Sequence, residues 1–189
     1  MEHYTITDLE YLTPLIQKNM LTNKDRVCQI GRRARTHRHA NHSPDCAEPN
    51  LDNTSIEALD WTRIENMKTS SRKPTWPLQA TRNVDLVVAV DCVYNPSLIP
   101  AFLDTLEFFA SCRTAKSEDA EGNGNKTGAF GACVLVAVEL RSEEVLREFL
   151  QQWLGRGTWE VWRIEWEEGE TGLDVSFAVW VGWKTRVLA

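Results

Sequence analysis

The residues of this chain whose types and spacing could do chemistry stand where apolar runs end. Asp8 follows the run that holds Tyr4 and Ile6. Asp60 and Trp61 follow the run that begins at Ile56. Asp91 and Tyr94 follow Val84-Asp-Leu-Val-Val-Ala-Val90, the longest of the three. If these runs are parallel strands, a ligand lies just outside their carboxyl ends. A carboxylate there accepts hydroxyl protons or attracts an ammonium group, and an aromatic ring walls a flat or cationic group. Each residue also has a plainer role. Asp8 and Asp91 could cap the helices that follow them. Trp61 could be a core residue, Tyr94 could pack on the next helix, and Val90 could be an ordinary buried strand position. One acidic residue after a strand carries little weight; three in succession suggest a small-molecule site.

The elements that must position these residues can be read along the chain. Residues 3–7 alternate as a strand, and Leu9, Leu12, Leu15, Ile16 and Met20 fall at helical spacing. Ile56 to Trp61 reads as a second strand, and 62–82, with Pro74 and Pro77, as a connection. Val84 to Val90 is apolar almost throughout, as suits a parallel strand covered on both faces. A helix is expected over 97–111, with Pro100 in its first turn. Ala132 to Leu140 is the next strand. Ser142 is the expected N-cap of a helix to Leu154, with Glu143 and Glu144 at its positive end. Two strands, 159–166 and 173–183, close the chain as an antiparallel hairpin. Alternating strands and helices mean an α/β fold built on a mostly parallel sheet. One domain over residues 1–189 is expected, with flexible insertions at 24–55 and 113–130.

Composition narrows the function classes. The 189 residues carry a net charge of −6 and are 42% hydrophobic and 25% charged. This balance disfavours a nucleic-acid partner, which meets a basic face, and suits a basic protein partner. The five cysteines, Cys28, Cys46, Cys92, Cys112 and Cys133, form no close pairs, so reduced thiols are expected. No apolar run approaches the ~20 residues that span a bilayer, and no secretory signal opens the chain. The expected location is the cytoplasm or nucleus, with no membrane partner.

Several stretches together resemble the methyltransferase family 16, the seven-β-strand protein-lysine methyltransferases. They are Thr5-Ile-Thr-Asp-Leu-Glu-Tyr-Leu-Thr-Pro-Leu-Ile-Gln-Lys-Asn19, Leu59-Asp-Trp61, Asp91-Cys-Val-Tyr94, Val138-Glu-Leu-Arg-Ser142 and Phe177-Ala-Val-Trp-Val-Gly-Trp-Lys184. The resemblance implies a class I, Rossmann-like fold with S-adenosyl-L-methionine as cofactor. It implies a lysine of a ribosomal or other translation-related protein as substrate. It assigns Asp8 to the cofactor's ribose hydroxyls, Trp61 and Asp60 to its adenine, and Val90 to its lining. Asp91 and Tyr94 are the implied catalytic pair that meets the substrate lysine. The nucleophile must be a neutral amine, and deprotonating lysine at pH 7 costs roughly 4.6 kcal/mol.

The chain departs from the family at two points: the glycine-rich cofactor turn, and a further N-terminal segment that the resemblance implies would help cover the cofactor, are both expected to be missing. No glycine-rich G-x-G turn precedes Asp8, and Gly122-Asn-Gly124 lies in an acidic loop, the wrong context for a cofactor turn. The expectation is a sheet lacking its first strand, poorly soluble, which alone binds the cofactor weakly or not at all. The competing reading is an inactive, methyltransferase-like remnant that acts as a binding scaffold, its basic insertion contacting RNA or zinc. Cys28, His37, His39, His42 and Cys46 are zinc-binding types, but their spacing matches no standard finger, and no metal site is expected.

Overall fold

The computed structural model describes residues 3–23, 54–69, 84–111, 131–165 and 176–185. They fall into two compact units, Met1–Asp60 and Trp61–Ala189, where the sequence reading takes one domain. The insertion 113–130, and 24–55 apart from its last two residues, lie outside the described residues. So do the zinc and RNA readings attached to them.

In the first unit, β1 (Tyr4–Asp8) and β2 (Thr54–Ala58) pair in parallel, with Tyr4 opposite Thr54 and Asp8 opposite Ala58. Parallel neighbours need a crossover, and α1 (Thr13–Thr22) lies in it, after a 3-10 turn at Glu10–Leu12. Pro14 sits in the first turn of α1, where its missing N–H costs no helical bond. Across the strands, the Ser55 hydroxyl bonds Thr5 Oγ1 at 3.0 Å and His3 Nε2 at 3.1 Å.

The second unit is a mixed α/β arrangement around a four-stranded mixed sheet. Its strands are β3 (Leu86–Val90), β4 (Cys133–Glu139), β5 (Trp159–Ile164) and β6 (Phe177–Lys184), in the spatial order β3-β4-β6-β5. β3 and β4 run parallel, and β6 is antiparallel to both of its neighbours. Its helices are α2 (Trp61–Thr69), α3 (Ile99–Ser111) and α4 (Glu143–Gly155).

Strict alternation along β4 buries Val134, Val136 and Val138 on one face of the sheet. α3 and α4 supply Phe102, Leu103, Leu106, Phe149 and Trp153 to the same core. Ring contacts run through it from Trp61 to Phe102 (4.9 Å), Phe149 (6.0 Å), Trp153 (5.2 Å) and Trp159 (5.7 Å). The opposite face of β3 is open: Leu86, Val88 and Val90 are 51%, 58% and 62% exposed.

A partly buried ionic cluster fixes the end of α4. Arg156, its C-cap residue, donates to Asp104 Oδ1 at 2.6 Å, Glu107 Oε2 at 2.9 Å and the Pro100 carbonyl at 3.3 Å. Lys184 Nζ, at the end of β6, donates to Glu107 Oε1 at 3.0 Å. Two elements, α4 and β6, thus meet on one polar stripe of α3.

The structure corrects the sequence reading in four places. β3 is not covered on both faces, and Val90 is not a buried strand position, since alternate residues of the strand face solvent. Trp61 does not end a strand; it opens α2, inside the stretch expected to be a connection. Ile64, one turn further on, is 1% exposed, so tertiary burial holds a helix that ends before Pro74. β2 begins at Thr54 rather than Ile56. Asp8 does not cap α1, because its Oδ1 accepts the Leu9 N–H at 2.8 Å while α1 starts at Thr13. Elsewhere the elements match within a few residues, and Ser142 caps α4 by accepting the Val145 N–H.

Candidate functional site

β3 and β4 are adjacent and parallel, with Val90 opposite Ala137, so their carboxyl ends lie side by side. The ladder runs one residue past β3: the Asp91 N–H donates to the Ala137 carbonyl at 2.8 Å. At Asp91 the backbone turns with φ of 53°. That left-handed conformation is unfavourable for a residue with a Cβ, less so for Asp than for most. Strain of this kind persists where surrounding bonds enforce it and tends to mark functional positions.

The helix that follows does not use Asp91 as its cap. Asn95 Oδ1 accepts the Ser97 N–H at 3.1 Å and the Ser97 hydroxyl at 2.9 Å. The Asp91 carboxylate instead meets Arg141, whose Nη2 donates to Asp91 Oδ2 at 3.0 Å. Arg141 Nε donates to Glu139 Oε2 at 2.6 Å, and Nη2 also closes on that oxygen. The hydrogen bond that Arg141 donates to Glu139, then the charge of Asp91, push the Arg141 guanidinium above its ordinary value. The three side chains are 36%, 34% and 59% exposed for Asp91, Glu139 and Arg141, so the cluster faces solvent. Exposed ion pairs add little to stability; this one sets where charges stand.

Tyr94, 60% exposed, follows Asp91 on the same loop, and Val90 precedes it on the open face of β3. Trp61 is partly buried, its ring against Phe102. In the first unit, Asp8 ends β1, and its carbonyl accepts the Leu59 N–H at 2.8 Å, one residue before Asp60. The structure therefore joins Asp91 to a group that sequence reasoning gave no role, Arg141 with Glu139. The signal was present: Glu139-Leu-Arg141 ends the strand next to β3, as Asp91 ends β3. Among the described residues no cluster of three or more His, Cys, Asp or Glu side chains could hold a metal ion. Nor is any described helix long and apolar enough to cross a membrane.

No protein-family model matches the chain, and no curated protein matches it.

Proposed function

We propose that the chain is an S-adenosyl-L-methionine-dependent protein-lysine N-methyltransferase of the class I type, with a ribosomal or other translation-related protein as substrate. The observation that supports this reading best is the strand order β3-β4-β6-β5, with β6 antiparallel between β4 and β5 and Asp91 at the carboxyl end of β3. In the first unit, the parallel pair β1–β2 has Asp8 at its carboxyl end, as the resemblance implies for that strand.

The carboxylate of Asp8 suits the ribose hydroxyls of such a cofactor. Asp8 keeps one carboxylate oxygen for a hydroxyl donor while the other accepts the Leu9 N–H. The roles of Asp60, Trp61 and Val90 rest on the resemblance that suggested them. When bound, the cofactor supplies an electrophilic methyl group on a sulfonium. The chain's own residues handle the amine. Asp91, partly exposed at the carboxyl end of β3, attracts and orients the lysine ammonium. Tyr94 supplies an exposed aromatic wall for the lysine's aliphatic stem and its cationic end.

The test is transfer of labelled methyl from S-adenosyl-L-methionine to ribosomal proteins. N-methyllysine should form, and Asp91→Asn should slow its formation on the order of 10²-fold. The chain and a form of it extended N-terminally from its own locus are tested side by side; if both are folded and neither binds the cofactor nor transfers methyl, the reading is defeated and the scaffold alternative is favoured.

A further inference from the structure

We propose that Arg141 is a positioning residue that sets how firmly the amine held at Asp91 keeps its proton; this rests on the methyl-transfer reading above. Two carboxylates, Asp91 and Glu139, converge on one guanidinium. The bonds to Arg141 use Asp91 Oδ2 and Glu139 Oε2. Asp91 Oδ1 and Glu139 Oε1 have no hydrogen-bond partner among the described residues. Arg141 thus fixes the direction of Asp91 while leaving one oxygen for a cation.

The charge count gives the arrangement its consequence. Two carboxylates and one guanidinium leave a single net negative charge at the ends of β3 and β4. Other titratable or charged groups here are Tyr94 after β3, and Glu143 and Glu144 in the first turn of α4, Glu143 being paired with Arg147. A lysine ammonium drawn to Asp91 must lose one proton to water. Its freed lone pair then forms the N–C bond as the methyl–sulfur bond breaks, leaving a neutral thioether. A site with two uncompensated carboxylates would bind the ammonium more tightly and hold its proton harder. Arg141 offsets one of them. It weakens ground-state binding of the charged substrate and raises the fraction of reactive amine, a differential effect of the kind that accelerates a step.

The pairs are exposed, so changing Arg141 should leave the fold intact, and a thermal melt checks this. The experiment compares the native chain with Arg141→Gln and Arg141→Lys, using a short N-acetylated oligolysine peptide as probe. Steady-state transfer is followed from pH 6 to 10, and peptide binding without cofactor is followed by calorimetry. In Arg141→Gln, peptide binding should tighten several-fold, kcat at pH 7 should fall about tenfold, and the rising limb of the pH–rate profile should move about one unit higher. Arg141→Lys keeps the positive charge and should restore the native profile. Transfer by Arg141→Gln with an unshifted profile, or with weakened binding, overturns the role of Arg141 and leaves methyl transfer standing. Tightened binding with no transfer by any version overturns methyl transfer but keeps the charge-setting role. Neither binding nor transfer overturns both.

Discussion

A Cβ placed on Gly182 would stand 2.6 Å from Cζ2 of Trp153, so β6 and α4 approach at a distance that glycine alone permits. Trp153 is 0% exposed and lies in the chain of ring contacts between Phe149 and Trp159. It has no room to retreat, because buried cores are close-packed.

Gly182→Ala should therefore cost about 1–3 kcal/mol, the usual cost of overpacking. Urea denaturation of the variant would show it as a lower midpoint at an unchanged slope. A midpoint equal to the native value would mean that α4 can shift away from the sheet without loss.

Arg156 joins α4 to α3 through two carboxylates and a carbonyl in a partly buried setting. Arg156→Gln should destabilise the fold by about 1–2 kcal/mol, since charge-assisted bonds exceed neutral ones. Arg147→Gln removes only an exposed i,i+4 pair and should cost less than about 0.5 kcal/mol. Equal losses in the two variants, read from paired thermal melts, would contradict the latch described for Arg156.

Asp91→Gly and Asp91→Ala remove the same carboxylate but treat the backbone differently. Alanine at φ of 53° keeps the left-handed strain that glycine relieves. The glycine variant should be the more stable by about 1 kcal/mol. Identical denaturation curves would place the positive φ outside the native state in solution.

The open face of β3 presents Leu86, Val88 and Val90 to solvent on a strand without a charged residue. Uncharged apolar edge strands template association. Val88→Lys should lower self-association in sedimentation velocity by several-fold while leaving stability within about 0.5 kcal/mol, the usual range for exposed positions. An unchanged sedimentation profile would move the association surface elsewhere.

Much of the second unit was legible because its signals are local. Val134, Val136 and Val138 alternate within one strand, and Ser142 with Glu143 and Glu144 marks a helix start within three residues. The pairing of Asp91 with Arg141 was not legible, because it needs β3 and β4 to be neighbours across 50 positions of sequence. Trp61 was misplaced for a related reason: α2 owes its helical form to burial of Ile64 and to the Phe102 ring, not to its own composition. Asp91 itself was picked out by its position after a strand. Its left-handed turn was invisible, since Asp does not announce that conformation as glycine would.

The indole nitrogens of Trp153 and Trp159 are buried, and neither N–H finds an acceptor among the described residues. These rings are in edge contact at 5.7 Å, one from α4 and one from β5. The chain therefore carries its own light source for watching α4. While the helix sits on the sheet, the pair is dry and emits at short wavelength. When the helix lifts, water reaches both nitrogens and the emission moves to the red. With the six other tryptophans of the chain replaced by phenylalanine, opening of the face that holds Phe149 and Gly182 can thus be followed by colour, with no added label.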